Sequence, residues 1–277
     1  MMKHKFTFGK IISWLIILIT AMAAIFPLVW MILGSFKKNN EVFAIPLRFF
    51  PTTWQFENYE QIFNDPSQPF GQAMLSTLTV AVLAVLLSLF VNTMAGYAFA
   101  RTEFYGKSFL WVYCIVTMFI PGLTIMLTSF LVVNALRMLN TMAVLILPGL
   151  ASGYNIFFFR QFFLNMPVSL EDAARIDGAG RFMIYWRIYI PMSVAPMVVL
   201  GAGVFMGYWN SFLWPSLTVN DPKLMQIMQI IRSMRSVYST NYGAVMAATA
   251  IAIIPPLLLF FVFQKYIVQG VVLSGIK

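Results

Sequence analysis

The residues best suited to chemistry in this sequence lie in one short polar segment between two long apolar stretches. Residues 167–178 contain Glu171, Asp172 and Asp177 together with Arg175, while most of the surrounding chain is apolar. Carboxylates and a guanidinium so close together can form ion pairs and charged hydrogen bonds with another protein. A chain this apolar that keeps such a patch in contact with water is expected to use it for a partner protein.

The other ionisable residues argue against an enzyme or a proton-driven carrier. None of the nine acidic residues lies in the middle of an apolar stretch, and the only histidine is His4. Proton carriers and intramembrane metalloproteases need such groups within the membrane. Gly106-Lys107-Ser108 has the last letters of a phosphate-binding loop, but Arg101 stands where that loop needs glycine. We therefore expect no catalytic residue, metal site or cofactor in this chain.

Composition indicates an integral membrane protein. Hydrophobic residues make up 60% of the 277 residues and charged residues only 10%, and the mean hydropathy is +0.82. Soluble domains carry about 25% charged residues. The net charge of +9 then reflects the basic bias of cytoplasmic loops, and nucleic acid is not an expected partner.

Six apolar stretches are long enough to cross a membrane. A bilayer core of about 30 Å needs about 20 apolar residues in a helix, and only helices satisfy their own backbone groups in lipid without a closed barrel. The first stretch is longer than the apolar region of a signal peptide, so we expect it to be retained. The predicted fold is all-α with six transmembrane helices, at residues 11–34, 74–100, 110–133, 142–163, 192–214 and 244–268.

The distribution of lysine and arginine predicts the orientation. With the N-terminus inside, eleven of the 18 basic residues lie in inner segments, as the positive-inside rule favours. Residues 1–10 and 269–277 are then cytoplasmic, and residues 35–73 form an external loop. Residues 164–191, which we call the polar loop, are also cytoplasmic.

Local signals predict a short helix in the polar loop. Ser169 with Asp172 three residues later resembles a capping box, and Pro167 disfavours an earlier start. Gly178 is typical of a helix C-terminus. The helix is therefore predicted over residues 169–178, with a second amphipathic stretch at 181–190. A solvated loop and a docking surface both fit these signals.

The polar loop resembles the signature of importer permeases of the ATP-binding cassette (ABC) class. That signature is Glu-Ala-Ala, three residues, Gly, nine residues, Ile, one residue and Leu-Pro. Here Asp172-Ala173-Ala174, Gly178 and Ile188-Tyr-Ile-Pro191 keep the same spacing, with Asp172 replacing Glu and Ile190 replacing Leu. In that family the loop is a coupling helix that sits in a groove of the cytoplasmic ATPase. The resemblance implies an ATPase contact through Asp172, alone or with Glu171, and through Ala173, Ala174, Asp177 and Gly178.

The resemblance extends over nearly the whole chain to carbohydrate-uptake permeases of the maltose type. It implies a type I permease core over residues 74–277, in the second of two permease subunits of a bacterial inner-membrane importer. The implied partners are the other permease, an ATPase dimer that uses ATP and Mg²⁺, an extracellular or periplasmic sugar-binding protein, the sugar and membrane lipid. The matching stretches are Ser35-Phe-Lys37, Ala95-Gly-Tyr-Ala-Phe-Ala-Arg101, Phe158-Phe-Arg-Gln161, Trp209-Asn-Ser-Phe-Leu-Trp-Pro215, Gln264-Lys-Tyr-Ile-Val-Gln-Gly270 and Ser274-Gly-Ile-Lys277.

Polar and aromatic residues within the spans are candidates for a sugar path. A sugar needs hydrogen-bond partners and flat apolar surfaces, and asparagine in a span is costly unless it meets a partner helix or a wet cavity. Hydrogen bonds between helices are the alternative for the asparagines, and the membrane interface is the alternative for tryptophan. The candidates are Asn92, Asn155, Tyr208, Trp209, Asn210 and Ser211.

Two other functions remain compatible with the sequence. One is a self-contained secondary carrier or channel, and the other is a membrane scaffold subunit without a path. Within residues 220–241, apolar residues recur at helical spacing. This segment and the external loop could contact either the membrane surface or the external binding protein.

Overall fold

A computed structural model describes residues 8–235 and 241–275, with side chains for residues 9–235 and 241–266. These ranges contain helices and no strand. Parts of the predicted cytoplasmic ends (1–10 and 269–277) and of the 220–241 segment lie outside the described residues. The helices are α1 Phe8–Ser35, α2 Asn39–Val42, α3 Glu57–Asn64, α4 Phe70–Arg101, α5 Lys107–Thr117, α6 Gly122–Ala135, α7 Met142–Ile146, α8 Gly153–Leu164, α9 Val168–Ile176, α10 Arg181–Ile184, α11 Ile190–Met192, α12 Val194–Trp209, α13 Leu213–Thr218, α14 Ile227–Ser233, α15 Tyr242–Ala252 and α16 Ile254–Gly275. A 3₁₀ turn, Leu147–Gly149, follows α7, and a π-helical segment, Tyr185–Tyr189, joins α10 to α11.

Three stretches within these ranges are long and apolar enough to cross a membrane as continuous helices: Gly9–Ser35, Phe70–Arg101 and Tyr242–Tyr266. Three bent helix pairs pass the same test, which gives up to six spans if each pair is one span. The all-α membrane fold predicted from hydropathy is confirmed.

The three bent pairs overlap the spans predicted over 110–133, 142–163 and 192–214. The two helices of each pair meet at 111° in Lys107–Thr117 with Gly122–Ala135, at 49° in Met142–Gly149 with Gly153–Leu164, and at 79° in Arg181–Met192 with Val194–Trp209. Pro121, Pro148 and Pro191 lie at or next to these breaks, where a missing backbone N–H and the bulk of the ring interrupt a helix.

The described chain divides into two compact units. The first holds the described residues up to Phe70 and from Ile230 to Ile254. In it α1 packs on α15, and the buried Lys37 Nζ donates to the Arg48 carbonyl at 2.6 Å and lies 4.0 Å from the centre of the Trp30 ring. Burial lowers the pKa of Lys37, although the nearby Glu41 opposes this shift.

The second unit holds residues 71–229 and the described residues after Ile254. Two clusters of buried side chains form its core. One joins α4, α8 and the π-helical segment through Tyr97, Phe159, Phe163 and Tyr189, and the other joins α4 to α7 through residues such as Val144. Both candidate sites lie in this unit.

Candidate functional site

The polar loop contains the short helix that the sequence predicts, with a different start. Helix α9 begins at Val168 with Pro167 as its N-cap, and no side chain caps it. The predicted capping box of Ser169 and Asp172 is therefore wrong. Proline restricts the residue before it and fixes its own φ near that of a helix, but it leaves the residue after it free to be helical, so α9 starts directly after Pro167.

Gly178 ends α9 through a Schellman motif. Its backbone has φ +80°, its N–H donates to the Arg175 carbonyl at 3.0 Å, and the Ala179 N–H donates to the Ala174 carbonyl at 2.9 Å. These two bonds satisfy the last carbonyls of the helix. Since the left-handed region favours glycine, the predicted role of Gly178 at the C-terminus is confirmed.

Helix α9 has one face turned inward and one turned outward. Glu171 is 3% exposed, and its two carboxylate oxygens accept from Arg175 Nη2 at 2.5 Å and from Tyr189 Oη at 2.9 Å. Asp172, Ala173 and Asp177 are exposed, and Ala174 is half-buried. Of the two neighbouring acids, only Asp172 is therefore open to a partner.

The outward face also carries a residue that the sequence analysis missed. Ile176 is 88% exposed on the last turn of α9. A large apolar side chain so exposed beside Asp172 and Asp177 gives the face a hydrophobic centre with a charged rim, which is the usual composition of a protein interface. The isoleucine inside the Ala-Arg-Ile-Asp-Gly run was the available signal.

One side of α4 contacts the backbone before and after α9. Arg101 Nη2 donates to the carbonyls of Phe163 and Met166 at 2.7 and 2.5 Å, just ahead of α9. Tyr97 Oη donates to the Arg181 carbonyl at 3.3 Å, just after the loop turns back. Because residues four apart share one helix face, α4 positions α9 from both sides.

A second feature of the unit is a cavity of about 740 Å³ between α4, α6, α8, α12 and α13. Apolar and small residues form most of its wall, including Val80, Ile125, Leu200 and Gly203. No lysine, arginine, aspartate or glutamate is among the lining residues in the part of the chain that the structure describes. The space suits a neutral ligand with apolar faces and a few hydrogen-bonding groups.

The structure places three of the six predicted path residues on this cavity and three away from it. Asn155, Tyr208 and Ser211 line the wall, whereas Asn92, Trp209 and Asn210 do not. Trp209 is 3% exposed and stacks on Phe205, with ring centroids 5.5 Å apart. The exposed Asn210 follows the last residue of α12, and its amide donates to the Met206 carbonyl at 3.0 Å.

Asn92 is fully buried and holds the break between the 3₁₀ turn and α8. Its amide nitrogen donates to the Leu150 carbonyl at 2.8 Å, and its amide oxygen accepts from the Ser152 N–H at 2.8 Å. The same nitrogen also donates to Ser88. Asn92 therefore makes hydrogen bonds between helical segments and not a sugar contact. These bonds satisfy backbone groups that have no helical partner at the break.

Four cavity residues have side-chain polar groups without a hydrogen-bond partner in the described ranges: Ser129, Tyr154, Asn155 and Ser211. Tyr208, in contrast, donates to the Ile146 carbonyl at 3.0 Å. Sequence reasoning missed Ser129 and Tyr154, since a serine in an apolar helix and an interfacial tyrosine are common without a ligand. Unused donors and acceptors in an apolar wall are available to a bound molecule.

Comparisons with known proteins agree with this architecture. Residues 92–273 match the family described as binding-protein-dependent transport system inner membrane component. The chain is 32% identical to the arabinooligosaccharides transport system permease protein AraQ of Halalkalibacterium halodurans, over 100% of both chains. This similarity extends over the full length of both chains.

Solved structures show the same fold. One is the crystal structure of a bacterial ABC transporter involved in the import of the acidic polysaccharide alginate, with a TM-score of 0.82, 20% identity, and coverage of 95% of this chain and 99% of that chain. The second, with a TM-score of 0.62, 16% identity and coverage of 92% and 96%, is a bacterial alginate ABC transporter in complex with an alginate pentasaccharide-bound periplasmic protein. The chain therefore belongs to the family of binding-protein-dependent transport system inner membrane components and is a multi-pass permease subunit of the inner membrane.

Proposed function

We propose that this chain forms half of the path of an ATP-driven importer of neutral oligosaccharides. The observation that carries the proposal is the cavity, in which four unpaired neutral polar groups lie in a mostly apolar wall. Hydroxyls and amides can bond to sugar hydroxyls, and the Trp214 and Tyr154 rings offer flat surfaces to a sugar face. The arabinooligosaccharide relative supports this substrate class.

The energy for transport comes from a separate ATPase dimer that binds ATP and Mg²⁺. The permease family and the outward face of α9 support this division of labour. Asp172, Ala173, Ile176 and Asp177 form the contact, with Ile176 as its apolar centre, and Gly178 gives the helix its sharp end. ATP-driven closure of the ATPase dimer moves α9, and α9 moves the spans. This chain performs no catalysis.

The remaining partners and the orientation follow from the same proposal. A second permease completes the path as a heterodimer, and an external sugar-binding protein delivers the substrate. The known complex of an alginate transporter with an alginate-bound periplasmic protein supports the role of the sugar-binding protein. Residues 164–191 then face the cytoplasm, residues 35–73 face outward, and residues 74–277 form the core that follows the first span.

Replacement of Asn155 tests the path. We expect Asn155→Ala to raise the sugar concentration for half-maximal uptake about fivefold, because one hydrogen bond between neutral groups contributes about 1 kcal/mol. Wild-type cells are first tested for uptake of labelled neutral trisaccharides (arabino-, gluco-, galacto- and chito-oligosaccharides). The sugar that they import best is then used to compare uptake by cells that carry the variant.

Asn210→Ala is the matched control, since Asn210 lies outside the cavity and, among the described residues, its amide bonds to its own helix. It should keep wild-type uptake. Equal losses in both variants, or none in Asn155→Ala, would remove the cavity from the path. Uptake by the purified chain alone in liposomes would favour the secondary carrier.

A further inference from the structure

We propose that the hydrogen bond between Tyr189 and Glu171 carries the movement of α9 to the wall of the cavity. Glu171 is then a positioning residue, and it is not part of the ATPase contact. This inference rests on the proposed function, and it adds the route inside the chain. The route runs from α9 through Tyr189 into α11 and α12, and from there to the cavity.

Glu171 is turned away from any partner. It is 3% exposed, whereas its neighbour Asp172 is exposed. Tyr189 Oη donates to one carboxylate oxygen at 2.9 Å, and Arg175 holds the other. A polar group this deeply buried needs its hydrogen-bond partners, so Glu171 links α9 to Tyr189.

Among the described residues that follow α9, Tyr189 is the only one to which the structure gives a side-chain hydrogen bond with α9. It is 2% exposed, and its ring packs edge-on against Tyr97 and Phe163, with centroids 4.8 and 5.3 Å away. These contacts hold the buried ring in place on two sides, so the ring passes on a displacement of Glu171. A push on α9 therefore moves the backbone of Tyr189.

The backbone of Tyr189 continues into the cavity wall. The π-helical segment ends at Tyr189, α11 follows, and α12 runs from Val194 to Trp209 with the lining residues Leu200 and Tyr208. Single π-helical turns inside α-helices occur frequently at functional sites. Ser193, at the bend between α11 and α12, donates to the Tyr189 carbonyl at 2.5 Å, which ties the bend to the same residue.

The test separates attachment of the ATPase from its coupling. The complete complex, made of this chain, the second permease, the ATPase and the binding protein, is placed in proteoliposomes. The two readouts are the ATPase stoichiometry and the number of labelled trisaccharide molecules moved per ATP hydrolysed, with the sugar that the wild type imports best. We expect Tyr189→Phe to keep the ATPase bound and to lower the sugar-to-ATP ratio about tenfold. The reason is that the variant loses the hydrogen bond from the Tyr189 hydroxyl to Glu171.

Tyr185→Phe is the matched control. Tyr185 lies in the same buried cluster at 1% exposed, and its hydroxyl bonds to Thr93 of α4 at 2.8 Å and to no residue of α9. This variant should keep the wild-type ratio. Glu171→Gln retains an acceptor for Tyr189 and should keep most of the coupling, whereas Glu171→Ala should match Tyr189→Phe.

Three results would overturn the inference: a wild-type ratio in Tyr189→Phe, an equal loss in Tyr185→Phe, or loss of the bound ATPase in Tyr189→Phe. If Tyr189→Phe does not accumulate in membranes, Glu171→Ala decides by the same criteria. If the wild-type complex imports none of the neutral oligosaccharides, the proposed function itself is wrong, and that outcome is distinct from all three.

Discussion

Replacing Gly178 by valine is expected to leave the chain in the membrane and to disconnect it from ATP hydrolysis. The φ of +80° at this position costs an L-residue about 1–2 kcal/mol, and a β-branched side chain tolerates it least. The Schellman bonds that end α9 then break, and the outward face loses its orientation. We expect sugar uptake to fall about tenfold or more, measured in cells together with the amount of chain in the membrane.

Gly180 provides the matched control for this experiment. It lies two positions further on, has φ −73° and ψ 162°, and, like Gly178, has open space where a Cβ would be added. Gly180→Val therefore adds the same bulk to the same loop without backbone strain, and it should keep wild-type uptake. Equal effects of the two valines would show that bulk, and not the conformation of Gly178, explains the loss.

Replacing Ile176 by aspartate is expected to release the ATPase. Ile176 is 88% exposed in this chain, and burying an isoleucine side chain at an interface contributes about 1.5–3 kcal/mol. A carboxylate in its place adds the cost of an unpaired charge. We expect the affinity for the ATPase to fall about a hundredfold, measured as ATPase retained per chain after purification in detergent.

Tyr105→Asp is the control for Ile176→Asp. Tyr105 is a fully exposed aromatic residue in the connection between α4 and α5, which the orientation proposal places on the same side of the membrane as the polar loop. A new charge there should leave the ATPase bound. If Ile176→Asp retains as much ATPase as this control, the outward face of α9 is not the contact.

The fold could be predicted from the sequence because its main determinants are local. Apolar runs longer than the bilayer core predict helices, and Gly178 predicts the end of α9 through its own backbone preference. The start of α9 differs from the prediction because the helix begins directly after Pro167, its N-cap, and not at Ser169. The angles of the three bends could not be predicted, because packing decides how far a proline or glycine break opens.

The candidate site depended on contacts that are distant in sequence. The inward direction of Glu171 depends on Tyr189, and the structural role of Asn92 depends on Leu150 and Ser152. Residues of similar type therefore have different roles: Asp172 faces outward while Glu171 faces inward, and Asn155 lines the cavity while Asn92 does not. Residue type and spacing identify the polar loop, but they do not assign its individual side chains.

We expect this chain to move a solute only as part of a complex that receives its energy from another chain. The most direct measurement is purification of the tagged chain from native membranes in mild detergent, followed by mass spectrometry of the bound proteins. We predict recovery of one second permease and an ATPase dimer, with ATP hydrolysis in the purified complex. Recovery of the chain alone, together with solute transport by that chain in liposomes without ATP, would contradict the claim.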